Sequence, residues 1–298
     1  MASLPAQNPW LHRYAILLAL CTLALVAAGA LVTSNEAGLS VPDWPLSYGK
    51  VMPEMIGGVF YEHGHRMIAT TVGAMTIVML VWLWIADRRT WMRNAGLAAL
   101  GAVVVQGLLG GLTVKMLLPP PVSIAHACLA QLFFALTVAI AIFTSRVWLE
   151  GAEPVQDQGW PSLRSLSIFT PAAALTQIAL GAAFRHKALG IMPHIVGAML
   201  ITLIILITGV FVLQQFPTHK TLRPAAATML GVVFAQIFLG MMAYWVRVDE
   251  TVDPRLMILS TVAHVAGGGL TLASTISLSI LIRRNVRAAA QASEVVVA

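Results

Sequence analysis

The chain has 298 residues, of which 58% are hydrophobic and only 10% charged, against roughly a quarter charged in an average soluble domain. Eighteen basic and twelve acidic side chains cannot cover a soluble protein of this size. That excludes an ordinary soluble globule, a disordered chain and, with two cysteines lying in apolar runs, a disulfide scaffold. The net charge of +6 does not indicate nucleic acid, because the basic residues sit at the ends of the apolar runs, where membrane topology puts them.

In chain order, eight stretches carry no charge: 14–34, 67–86, 94–114, 122–145, 165–184, 188–216, 224–246 and 256–282. Each is long enough to cross about 30 Å of hydrocarbon as a helix. Only helices and closed barrels satisfy the backbone in lipid, and none of the runs alternates with period two, so helices are expected. The first run contains Ala28-Gly29-Ala30, which is similar to a signal-peptide cleavage site. At about 21 residues it is too long for a signal core and is read as a retained span. With the N-terminus inside, the inner loops hold eleven basic and five acidic residues, Glu294 among them. The outer loops hold seven of each, including Glu36, Asp43, Glu54, Glu62, Asp249, Glu250 and Asp253. The positive-inside rule therefore puts both termini in the cytoplasm. The outer loop 35–61 is rich in Pro and Gly and is the longest, a length that often marks function. Residues 146–164 form a cytoplasmic linker.

The chain repeats itself. Gln106 and Gly110, Gln177 and Gly181, and Gln236 and Gly240 share one four-residue spacing, within helices 3, 5 and 7. From His65 to Gln106 is 41 residues and from His194 to Gln236 is 42. The expected architecture is an all-α integral membrane protein, eight transmembrane helices in two parallel four-helix-bundle repeats, 1–149 and 150–298. In each motif Gln and Gly share a helix face. The glutamines read mainly as structural residues that bond across helices, and the glycines as close-approach points.

Helices 2, 4, 6 and 8 each carry one histidine near the outer end: His65, His126, His194 and His264. One such histidine alone reads as a helix–helix hydrogen bonder. Four in register, two per half, point to two bis-histidine sites of the kind that hold six-coordinate heme iron. A structural zinc would call for four convergent ligands, often cysteines. Small residues three or four positions inward (Ala69, Ala130, Gly197, Gly267) would clear a flat ligand. His63 and His65 lie about 200° apart on a helix, and His65 is the expected ligand because it shares a face with Glu62 and Arg66. Glu62 itself is open between two roles, a general base or charge stabiliser beside the site and a surface ion-pair partner of Arg66.

The run Glu36-Ala37-Gly38-Leu39-Ser40-Val41-Pro42-Asp43-Trp44-Pro45, followed by Glu62-His63-Gly64-His65-Arg66, resembles the heme A synthase family. The eight spans, the repeat and the four histidines match as well. The resemblance implies conversion of heme O to heme A by oxidation of the C8 methyl to a formyl group through a hydroxymethyl intermediate. It implies heme O or heme A between His65 and His126, an electron-transferring heme b between His194 and His264, and an essential Glu62. Arg66, Lys115, Arg185 and Arg247 become candidates for holding propionates. The implied location is a bacterial-type inner membrane, with the heme sites near the outer face. Heme O synthase, other cytochrome oxidase assembly factors and a membrane electron carrier (a quinone or a redox protein) are the expected partners, a homo-oligomer remains open, and nucleic acid is not expected. Some relatives carry cysteine pairs in the outer loops, and this chain has none there, so a thiol relay through those loops is not available. The competing readings are a di-heme cytochrome b that exchanges electrons with quinone, disfavoured by four ligands near one face, and a transporter, disfavoured by uncharged mid-helices.

Overall fold

The computed structural model describes residues 8–249 and 251–287; Glu250 and Glu294, counted above in the charge balance, lie outside them. The chain folds as an all-α integral membrane protein. Eight long helices carry it: α1 (Pro9–Ser34), α2 (Gly57–Ala86), α3 (Thr90–Lys115), α4 (Pro120–Thr144), α6 (Leu163–Arg185), α7 (Met192–Gln215), α8 (Leu222–Val248) and α9 (Pro254–Asn285). All eight are long and apolar enough to span a bilayer. A single turn, α5 (Arg146–Leu149), opens the central linker.

The helix starts follow from local chemistry. Asn8 caps α1 by accepting from the Trp10 and Leu11 amides at 3.1 Å, and Asp253 accepts from the Arg255 amide at 2.8 Å. Prolines sit in the first turn of α1, α4, α7 and α9, where no intrahelical N–H is lost. Helix α2 begins ten residues before the charge-free run that announced it. Its extra turns carry Glu62, His63 and His65, and the charge there is neutralised within the helix by Arg66.

Packing is sequential. Helix α1 lies against α2 and α4, α2 against α3, and α3 against α4; α6 lies against α7 and α9, α7 against α8, and α8 against α9. The halves meet where α4 and α9 touch each other, α1 touches α9 and α4 touches α6. One apolar cluster fills the first half around Leu18, Met79, Leu83, Met92 and Ile140. A second fills the other half around Leu163, Ile205, Leu222, Met229 and Ile282. Between them, Ala135, Ala174 and Ala273 are buried at the seam beside Phe134 and Leu272. Small residues let helix backbones approach closely, which is the main source of association in lipid. Ile77, Val104, Leu203, Phe234 and Phe238 point outward and are exposed, as a hydrocarbon solvent permits.

At the linker end of the bundle, β1 (Val155–Gln156) pairs in parallel with β2 (Val286–Arg287). Asn285 accepts from the Glu153 amide at 2.8 Å, and Asp157 accepts from the Leu163 amide at 2.6 Å to start α6. The linker is thus tied to the end of α9. Loop 35–56 lies at the opposite end of the bundle, where α2, α4, α7 and α9 all begin.

Candidate functional site

The four histidines lie early in those helices. His65 is the ninth residue of α2, His126 the seventh of α4, His194 the third of α7 and His264 the eleventh of α9. All are half-buried. His194 and His264 face each other, with ring centres 6.1 Å apart and planes at 88°. The imidazole nitrogens His65 Nδ1, His126 Nδ1 and His264 Nδ1 are buried without a hydrogen-bond partner. Buried polar atoms are usually satisfied in proteins, and a ligand held between the rings would satisfy these three.

Each ring rests on a glycine of the helix before it. A Cβ placed on Gly29, Gly110, Gly181 or Gly240 would lie 3.2, 3.2, 2.9 or 2.8 Å from Cε1 of His65, His126, His194 or His264 respectively. One turn away on three of those helices, a glutamine amide reaches the same histidine. Gln106 Nε2 donates to the His126 carbonyl at 3.0 Å and lies 3.3 Å from His126 Nε2. Gln177 Nε2 donates to the His194 carbonyl at 2.8 Å and meets His194 Nδ1 at 3.0 Å. Gln236 Nε2 donates to the His264 carbonyl at 3.0 Å. Two of the small residues expected to clear a flat ligand lie against the glutamines. Gly197 and Gly267 make room for the Oε1 atoms of Gln177 and Gln236, which press against them from the neighbouring helix.

The second centre is Glu62, only 4% exposed. Its Oε1 accepts from Arg66 Nη2 at 2.7 Å and its Oε2 from the Val41 amide at 2.8 Å. The ion pair left open by the sequence is therefore formed, and it also grips loop 35–56. Arg66 Nη1 donates to the carbonyls of Asp43 and Leu46, both at 2.8 Å. Within the loop, Tyr48 and Gly49 both have positive φ between Ser47 and Lys50, whose amides and carbonyls bond reciprocally, as in a type I′ turn. Asp43 accepts from the Tyr48 and Gly49 amides at 2.7 and 2.8 Å. The Gly49 amide chiefly, and Arg66 to a lesser degree, hold its carboxyl below the usual range. His63 turns from His65 toward the loop and bonds Ser47 Oγ at 2.8 Å. The Trp44 indole lies over Gly111, where a Cβ would approach it to 2.8 Å, beside the Gly110 that supports His126.

The sequence matches the cytochrome oxidase assembly protein family over residues 12–57 and 57–199. The chain belongs to that family. Among curated relatives it is similar to a heme A synthase of Methylobacterium sp. (strain 4-46), 30% identical over 57% of this chain and 56% of that protein. It is also similar to the heme A synthase of Beijerinckia indica, 26% identical over 86% of this chain and 91% of the relative, and to that of Shouchella clausii, 25% identical over 77% and 85%. The chain spans only about half the length of the Methylobacterium protein that it matches. The family match includes His65, His126 and His194, together with the loop, Glu62 and Arg66.

The residues present fit heme. Two imidazoles on opposite faces of one metal ion, each nitrogen about 2 Å from it, put their ring centres about 6 Å apart, the spacing His194 and His264 adopt. Among the described residues no three His, Cys, Asp or Glu side chains converge. Pairs of imidazoles suit a macrocycle that supplies four nitrogens of its own. Of the propionate candidates, Arg66 has its guanidinium engaged by the loop. Arg185 Nη2 donates to Ser34 Oγ at 2.8 Å and the Ala30 carbonyl at 3.1 Å, and Arg247 lies over the Phe184 ring at 5.2 Å. Cys21 and Cys128 are unpaired thiols within α1 and α4. The glutamines bond across helices as expected from the sequence; that each partner is the carbonyl of a histidine on the next helix was not legible in the spacing.

Proposed function

We propose that the chain is a heme A synthase, an oxidoreductase that converts the C8 methyl of heme O to the formyl of heme A through a hydroxymethyl intermediate. The facing imidazoles of His194 and His264, 6.1 Å apart, carry this reading. In it, His194 and His264 hold heme b, while His65 and His126 hold the substrate heme. When bound, heme b supplies one-electron transfer to or from the substrate site. Glu62 stands three residues before His65 on the same helix face. Both its oxygens already accept hydrogen bonds, and protonating either would weaken the bond to Arg66 or to Val41. That favours a fixed negative charge facing developing positive charge over a mobile base. Trp44 and the loop cover the N-terminal site and exclude water from it.

The two halves, 1–149 and 150–298, are read as copies of one four-helix unit. The order of helix contacts is the same in each, and each His has its Gly on the preceding helix. Both termini lie in the cytoplasm in this reading, by the positive-inside balance, and the histidines near the outer face of a bacterial inner membrane. Heme O synthase would supply the substrate, and a quinone or redox protein would exchange electrons. The test is acid–acetone extraction and chromatography of hemes from cells making this chain together with a heme O synthase. Heme A that appears only when the chain is present is the expected result. Unconverted heme O beside heme B would overturn the synthase reading in favour of a di-heme electron-transfer cytochrome.

A further inference from the structure

Three of the four histidines are held twice, by a glycine under the ring and by a glutamine amide one turn away. The fourth is held once. His65 rests on Gly29, but the residue four positions before Gly29 is Leu25, an apolar side chain packed in the first-half cluster. We propose that Gln106, Gln177 and Gln236 are positioning residues that brace His126, His194 and His264 for iron, and that the unbraced His65 makes the N-terminal site the exchangeable one. The inference rests on the heme reading above.

The physical basis is the bonding of the amides. Each Nε2 binds the carbonyl of its histidine, which fixes the rotation of one helix against the next at the level of the ring. In two of the three, the same nitrogen also lies within 3.0 to 3.3 Å of a ring nitrogen, which limits how the imidazole turns. The Oε1 atoms of all three glutamines are buried and unpartnered. Those of Gln177 and Gln236 lie against Gly197 and Gly267 rather than against the rings, so each brace acts through the histidine's own carbonyl, and partners outside the ligand set that orient a ligating residue strengthen its hold on the metal. The space for Gln177 and Gln236 comes from Gly197 and Gly267, since a methyl group at either would collide with the amide oxygen. A resident heme gains from two braced ligands. A heme that enters as substrate and leaves as product gains from one ligand that releases.

The experiment uses the purified protein with its hemes. Heme loss to excess apomyoglobin and the EPR g values of the ferric low-spin hemes are measured for Gln177→Leu, Gln236→Leu and the nearly isosteric Gln236→Met. Loss from the heme b site should accelerate by about 10–100-fold, the usual effect of removing such a partner, with shifted g values. Gln131→Leu is the comparator. It removes a buried glutamine whose amide donates to the Val265 carbonyl rather than to that of a histidine, so it should leave the g values in place. Leu25→Gln should slow release from the His65 site. Unchanged g values and loss rates in the Gln177 and Gln236 variants overturn the brace, as does an equal shift in Gln131→Leu. Unchanged release in Leu25→Gln overturns the exchangeable-site half. If His194→Ala leaves the b-type spectrum intact, the heme reading itself is wrong and the brace fails with it.

Discussion

Replacing Gly240 by alanine tests the histidine pair most directly. The new Cβ would stand 2.8 Å from His264 Cε1 and 3.3 Å from Nδ1, against about 3.5–4.0 Å for a relaxed carbon contact. The ring must therefore shift by roughly 1 Å, or α8 must move away from α9, and overpacking of this kind costs about 1–3 kcal/mol. A 6.1 Å imidazole pair has little tolerance for such a shift, because metal–nitrogen bonds hold within about 0.2 Å. The assay is pyridine hemochrome content per protein, together with the reduced b-type spectrum and the detergent melting temperature. Gly240→Ala should lose most heme b. Gly101→Ala, where a Cβ meets nothing within 4 Å, should keep it and melt as the parent does. Full heme b in Gly240→Ala with an unaltered spectrum would refute the claim that this glycine sets the position of His264.

Three further outcomes concern the loop and its anchor. Glu62→Gln keeps an acceptor for Val41 but loses the charge, so both hemes should be retained while formyl production stops; normal heme A output would remove Glu62 from the chemistry. Arg66→Met strands a buried carboxylate and should cost about 3–5 kcal/mol of stability relative to the parent; a melting temperature equal to the parent's would contradict that. Acid should loosen the turn at 47–50. Asp43 has a lowered pKa in the fold, so its contribution is complete above the ordinary aspartate value near about 4 and is lost as pH falls through the folded value. Protection of the Tyr48 and Gly49 amides against hydrogen exchange, relative to the intrinsic rate at each pH, should therefore fall in that window in the parent, and much less in Asp43→Asn; identical protection profiles would exclude Asp43 as the cause.

The spans were legible because hydropathy is read along the chain and lipid leaves the backbone no other choice. Where a helix begins was less legible. Helix α2 starts at Gly57, inside the loop expected over 35–61; the charges of Glu62 and Arg66, four residues apart, neutralise each other on one face, and a count of charge-free residues stops at them. The Gln–Gly spacing was visible, but its target was not, since a motif on one helix says nothing about which face of the next helix it meets. Gly29 carries the same function without a glutamine and so left no trace in the repeat. Gly197 and Gly267, expected to clear a flat ligand, also lie against a glutamine amide from the neighbouring helix, a contact that no pattern on one helix announces. The tie between β1 and β2 involves two residues on each side, too short for any periodic signal.

The Glu62–Arg66 pair joins what the sequence presented as two separate features, a long outer loop and a charged turn beside a histidine. Burying an ion pair loses the hydration of both groups, and this is offset only where the remaining donors and acceptors are filled. Here the loop fills them: its Val41 amide takes the second carboxylate oxygen, and its Asp43 and Leu46 carbonyls take the guanidinium. The same loop sets Trp44 over Gly111, next to the glycine beneath His126. On the heme reading proposed above, opening the loop would uncover the N-terminal site and expose Glu62 in one movement, so access for a bulky heme and the charge near it would change together. The half that carries His194 and His264 shows no counterpart of this latch among the described residues, in keeping with a group that stays bound.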